Sequence, residues 1–210
     1  STSSAPNSIA IGSGAYVIAS GGVGLGYSPT VTGNYGAAIG ANSVGAGAKV
    51  SGAGGVALGG SNTQGSEAFS AVIDNTTTSY GASGANSIAM GYQAKATNVY
   101  STSIGSANNV TAYGGFGAGE YNTVSGDYGV AIGRYNTSGA TVASRPNVAL
   151  GYTNIATGGM ALAVGGNSDT QGIWGKMSHA SGRFSVNGDA QNGRFVLRSD
   201  TTDATAEALT

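Results

Sequence analysis

The chain has no cysteine, so disulfides and thiolate metal sites are both excluded. Charge is nearly as scarce. Only 8% of the 210 residues are charged, where about 25% is usual, and the formal net charge is −1. A nucleic-acid binder carries a basic stripe, and none is present. No apolar run approaches the roughly 20 residues that span a bilayer. There is a single histidine, His179. No initiator methionine and no signal peptide open the sequence, which begins at Ser1. The expectation is therefore a segment of a longer protein or a processed product.

What the chain does have is glycine, 39 residues of it. Glycine at that level often marks a low-complexity chain. Disorder, however, goes with low hydrophobicity and high net charge, and 40% of these residues are hydrophobic. Many tight turns between short buried strands fit the composition better.

One phrase recurs: an apolar residue, a small residue, an apolar residue, then glycine. It ends at Gly12, Gly26, Gly40, Gly59, Gly91, Gly105, Gly119, Gly133, Gly151 and Gly165. Successive gaps are 14, 14, 19, 32, 14, 14, 14, 18 and 14 residues. Six of nine equal 14, so the repeat is one structural coil. The gap of 32 reads as two coils of about 16 with one degraded copy near Phe69 to Asn75. The gaps of 19 and 18 read as a coil plus a loop of four or five residues. A second apolar position follows each glycine, at Val17, Val31, Val44, Val110, Val124 and Ile155. Polar corners such as Ser28-Pro29-Thr30 and Asn122-Thr123 join the two short strands.

Alternation has period two within the phrase, and apolar spacings of three and four are missing, so a helix is excluded. Fourteen residues cannot hold a strand, a crossover helix and a second strand. Each coil is expected to stack in register on the last, with parallel strands about 4.8 Å apart. About eleven coils then make a rod of roughly 50 Å. The repeated glycine is expected to need a backbone conformation closed to other residues, or room for a close approach. The apolar pair is expected to fill the interior, leaving the small residue facing outward against another copy of the chain. A coil this thin buries few apolar side chains against the entropy of ordering it, so a lone roll is marginal. Wrapping several rolls about one axis would raise the buried fraction.

The phrases Asn7-Ser8-Ile9-Ala10-Ile11-Gly12 and Asn86-Ser87-Ile88-Ala89-Met90-Gly91-Tyr92 resemble the head repeats of trimeric autotransporter adhesins, the YadA-like head. The resemblance runs from about Asn7 to Gly165. It implies an all-β fold, a parallel left-handed β-roll, with three chains per head. The usual neck, coiled-coil stalk and membrane anchor are not seen. The segments Ser178 to Phe184, Gly188 to Gln191 and Phe195 to Thr205 look instead like a stretch common in bacteriophage tail-fibre proteins that also carry YadA-like repeats.

The division expected is a β-roll over residues 1–166 and, over 167–210, a small β cap or the start of another fibre module. In the latter, Phe184-Ser185-Val186 and Arg194 to Arg198 alternate like strands, and Gly188-Asp189 and Asn192-Gly193 read as turns. A repeat stack needs a cap because its last coil exposes strand edges.

Catalytic chemistry finds little support. His179 has no identifiable nucleophile or carboxylate partner and reads as structural. Glycines such as Gly22-Val23-Gly24-Leu25-Gly26 belong to the repeat, with no helix to make a phosphate loop. The carboxylates Glu67, Asp74, Glu120, Asp127, Asp169, Asp189, Asp200, Asp203 and Glu207 are scattered, without metal-ligand spacing. A glycosidase pair assembled across chains, as in a tailspike, remains the alternative. Asp200 and Asp203 read as turn residues.

Tyr27, Tyr92 and Tyr152 each follow a repeat glycine, and Tyr121 and Tyr135 lie one residue further. They are the candidate surface-binding residues, suited to sugar rings or protein partners, or else a packing ladder. Insertions at residues 41–55, 60–84 and 135–146 are further candidates. The function expected is a structural or adhesive fibre segment, most simply of a phage tail fibre on the virion. The alternative is an autotransporter head on a cell surface. Expected partners are two further copies in a homotrimer, other fibre or virion proteins, and a host glycan or protein receptor. No cofactor, metal, nucleic acid or membrane insertion is expected.

Overall fold

The computed structural model describes residues 1–41, 47–73, 79–139 and 145–194. Within them there is no helix, and none long and apolar enough to cross a membrane. The chain winds into a parallel β-solenoid in which each coil, as far as Ile155–Ala156, contributes one strand to each of two sheets. One sheet is built from the repeat phrase, beginning Ile9–Ile11, Val23–Leu25 and Ala37–Ile39. The other is built from two-residue strands such as Tyr16–Val17, Thr30–Val31 and Lys49–Val50. Strands alternate between the sheets along the chain, and each pairs with its equivalent one coil away.

The register is strict. Gly105 pairs with Gly119, Gly119 with Gly133, Gly133 with Gly151 and Gly151 with Gly165. The ladder absorbs coils of unequal length. Thr30 pairs with Lys49 across the 19-residue gap, and Thr137 with Ile155 across the 18-residue one. The 32-residue gap divides unequally rather than as two sixteens. Phe69–Ile73 supplies the degraded copy, with Phe69 opposite both Val56 and Ile88. Val72 there takes the register of the repeat glycine, opposite Gly91.

Two expectations about facing are corrected. The small residue points inward: Ala38, Ala57, Ala89, Ala131, Ala149 and Ala163 are fully buried. The apolar pair points outward, with Ile9 48% and Ile11 61% exposed. The reason is width. The second sheet has only two residues per strand, so the coil is narrow, and the space between the sheets is filled from the short-strand side. Val17, Val31, Val50, Val110 and Val124 occupy it. At Gly117 even a methyl group would sit 2.7 Å from Val110 Cγ2, and Gly24 stands in the same relation to Val17. The buried second-strand position at the last predicted site is Ala156, not Ile155. Ala156 is in register with Ser138 and so with Val124, while Ile155 faces outward beside Thr137. Val44 lies outside the described residues, and Val50 fills the core of that coil.

The parallel ladder continues one coil past residue 166. Met177–Ser181 pairs with Leu162–Gly166, giving twelve phrase strands where eleven coils were expected. An antiparallel strand, Gln191–Arg194, then closes on Met177–Ser181. Asn192 and Gly193 therefore lie in a strand rather than in the hairpin turn. Gly188 and Asp189 are in the turn, and Phe184 to Val186 form bends, not a strand. The Asp189 carboxylate accepts the backbone N–H groups of Phe184, Ser185 and Val186 and draws those residues round the turn. Phe195 to Leu197, Asp200 and Asp203 lie outside the described residues.

Candidate functional site

The outer face of the phrase sheet is a continuous apolar stripe. Each strand presents its first and third residues there, so the pairs Ile9/Ile11, Ile88/Met90 and Val130/Ile132 line up by register. Ile39, Leu58, Ile88, Ile104 and Ile132 are each more than a third exposed. His179 sits at the far end of this stripe, one strand beyond Val164 and opposite Asn192. Leu162, Val164, Met177, His179 and Arg194 line a shallow hollow there.

The repeat glycines stand at the end of the same strands, where the chain leaves the sheet. All ten have positive φ, from 70° at Gly59 to 121° at Gly12. At Gly119, with φ of 116°, a Cβ would be driven into the Gly133 carbonyl oxygen of the next coil. Glycine is thus required on two counts, conformation and contact.

Two residues past the glycine the chain takes a second left-handed turn. Gln93, Ala107, Tyr121, Tyr135, Thr153 and Asn167 all have φ between 50° and 64°. Bulky residues rarely accept this conformation. Here the N–H of each later member is held by the coil before: Tyr121 N–H on Ser106 O and Tyr135 N–H on Glu120 O, both at 2.9 Å.

Behind that corner lies a buried ladder that the sequence reading took for a polar turn. Asn108, Asn122, Asn136 and Asn154 stack on successive coils, each three residues after a repeat glycine and each essentially inaccessible. The Asn122 amide Nδ2 donates to Asn108 Oδ1 (3.0 Å), Ala118 O (3.0 Å) and Gly133 O (2.7 Å). Its Oδ1 accepts from Asn136 N and Nδ2 at 3.0 and 3.1 Å. Asn136 repeats the pattern on Ile132 O and Gly151 O, and Ser168 N–H ends the run on Asn154 Oδ1. The signal was present as Gly-x-x-Asn in four consecutive repeats.

Of the five tyrosines singled out, three come together. Tyr121 and Tyr135 stack with ring centres 5.1 Å apart and planes 9° apart. Tyr152 meets Tyr135 edge-on at 6.4 Å. The Arg134 guanidinium lies 4.8 Å from the Tyr135 ring centre and pairs with Glu120 at 2.8 Å. Tyr27 and Tyr92 stand outside this chain of rings. The Tyr92 hydroxyl instead accepts from Gln93 Nε2. A second aromatic column was missed. Tyr100, Tyr113 and Tyr128 meet edge-on at 5.6 and 5.4 Å on the opposite corner. The 28 residues between Tyr100 and Tyr128, two full periods, were its trace. Burial in this column pushes the Tyr113 phenol above its ordinary pKa, with Tyr128, Tyr100 and Asp127 adding to the shift. Arg145 over Trp174, at 5.2 Å, is a third aromatic contact not foreseen.

Four of the carboxylates, Glu120, Asp127, Asp169 and Asp189, serve turns and pairs. Asp127 Oδ1 accepts the Tyr113 N–H, and Asp169 Oδ1 the Gln171 N–H. Hydrogen bonds from three N–H groups hold the Asp189 carboxyl below its ordinary pKa. Among the described residues, no three of His, Asp and Glu gather as a metal-holding group. Asp74, Asp200, Asp203 and Glu207 lie outside the described residues.

No curated protein matches this chain. The family model of the YadA head domain repeat does match it, in two copies, at residues 1–15 and 82–108. These segments contain the Ile9–Ile11 strand and, in the second copy, the strands Ile88–Tyr92 and Thr102–Ser106 with the corner between them. The chain is a β-solenoid carrying YadA-type head repeats.

Proposed function

We propose that the chain is a non-catalytic segment of an extracellular adhesive fibre, in which three copies bury their apolar stripes against one another. The observation that carries this reading is the stripe itself, unbroken over twelve strands. A soluble monomer rarely exposes so long an apolar band. Covering a half-exposed isoleucine or leucine returns about 1 kcal/mol, so each coil gains from a partner. Three chains are supported by the match to the YadA head repeat, whose heads are trimeric. With three rods closed about one axis, the stripes lie inside and the corners, with their tyrosines, face outward.

Attachment follows from that arrangement. A rigid rod displays its corner side chains at a fixed repeat, and fibre partners or a host glycan or protein would meet them there. The absence of catalysis is supported by Asp127, Asp169 and Asp189, which hold backbone N–H groups, and by Glu120, which pairs with Arg134. A tail fibre on a virion is favoured by the segment from Ser178 to Thr205. An autotransporter head on a cell surface is favoured by the head repeats at residues 1–15 and 82–108.

Analytical ultracentrifugation tests the assembly. The chain should sediment as an elongated trimer, and Ile104→Glu with Ile132→Glu should yield monomers with an unchanged β spectrum. A wild-type chain that stays monomeric at micromolar concentration would overturn the proposal. The gene neighbourhood separates the two origins: tail genes for a virion, a membrane-anchor domain in the same polypeptide for an autotransporter.

A further inference from the structure

On the face away from the apolar stripe, a groove of about 330 Å³ runs across several coils. Tyr80 closes one end and Tyr121 the other, with Gln93, Lys95, Ala107 and Asn109 between them. Lys95 and Asn109 are partners in register on the two-residue-strand sheet. From Gly81 to Thr123 that sheet advances three strand steps, about 14 Å, which is the reach of a short oligosaccharide.

The chemistry of the groove is specific. Its ends are aromatic and suit the C–H face of a sugar ring. Between them lie three amides, those of Gln93, Asn108 and Asn109, and one ammonium, and no carboxylate. Lys95 makes no ion pair among the described residues, and Gln93 is turned to the Tyr92 hydroxyl beside it. Asn109 carries one of only two buried side-chain polar atoms without a hydrogen-bond partner among the described residues: its carbonyl oxygen. Leaving such a group unpaired is costly. A ligand hydroxyl meeting the Asn109 amide in the groove would give it a partner. An apolar peptide anchor would find no deep apolar pocket here, whereas a ring bearing hydroxyls and one negative charge matches each feature.

We propose that this groove binds a carboxylated oligosaccharide, stacked on Tyr121, with its carboxylate on Lys95 and a ring hydroxyl on Asn109. The assignment rests on the attachment reading above and names the ligand class for it. The rest of the tyrosine run, Tyr135 and Tyr152, continues along the same edge and extends the stacking surface.

Isothermal titration of the full chain with oligogalacturonate, and with its neutral methyl ester, tests this. The acid should bind saturably and the ester at least about tenfold more weakly, as expected for loss of a charge-assisted hydrogen bond. Affinity for the acid should fall with added salt. Lys95→Gln should abolish the preference for the acid. Tyr121→Ala should abolish binding, Tyr121→Phe should retain it, and Tyr128→Ala, on the opposite corner, should leave it unchanged. No saturable binding of either sugar, or equal binding of both, would overturn the proposal. A trimer that ignores both sugars removes the groove and leaves the fibre standing. A monomer that binds the acid removes the trimer and keeps the groove.

Discussion

Replacing Asn122 by leucine probes the buried amide ladder at its middle. The two side chains have similar volume, so the change removes hydrogen bonds more than packing. Asn122 Nδ2 has three acceptors, and its Oδ1 accepts both the backbone N–H and the amide of Asn136. The substitution leaves the Asn136 N–H without an acceptor, and Asn108 Oδ1 keeps only the backbone N–H of residue 122. Each buried polar group left unpaired costs about 1–3 kcal/mol. Counting the Asn136 N–H and one of the two orphaned carbonyls as lost, the expected destabilisation is about 2–6 kcal/mol. The measurement is guanidinium denaturation followed by circular dichroism, with the midpoint compared to wild type. Asn122→Asp adds a sign. A buried carboxyl has its pKa raised, so this variant should be less stable at neutral pH than at pH 4. A Leu variant within about 0.5 kcal/mol of wild type, the range of ordinary surface changes, would refute the ladder as a stabilising element.

Gly117→Ala should destabilise by about 1–3 kcal/mol through overpacking against Val110, and Val110→Ala in the same chain should recover part of the loss. Gly119→Ala meets both a forbidden φ and the Gly133 carbonyl, so it should cost more than Gly117→Ala in the same melting experiment. Asp189 has a lowered pKa in the folded turn, so its contribution is present above the unfolded carboxylate pKa and lost as pH falls through the folded one. Protection of the Ser185 and Val186 amides, measured against their intrinsic exchange rates, should therefore fall in acid, and Asp189→Asn should remove that pH dependence.

The stacking was legible because glycine spacing reports coil length directly: Gly105, Gly119 and Gly133 are fourteen apart and lie side by side. Facing was not legible. Alternation in Ile9-Ala10-Ile11 separates two faces but does not say which one is inside. That depends on the distance between sheets, and Val17 opposite Gly24 sets it. Asn122 misled for a related reason. A polar residue after a glycine reads as a solvated corner unless its neighbours one period away are also asparagine. Tyr121, Tyr135 and Tyr152 were found from their place after the glycine, while Tyr100 and Tyr128 lie on the other corner, where no repeated glycine marked the position.

The pairing of Thr30 with Lys49 and of Thr137 with Ile155 shows that surplus residues in one turn do not disturb the strands on either side of it. Length at a corner is therefore uncoupled from order in the sheets. Foreign peptides inserted between Ala41 and Gly47, or between Gly139 and Arg145, should leave the paired strands on either side in register, and sequence can vary there at little cost to the scaffold. Such a fibre can change what it displays while conserving what holds it up.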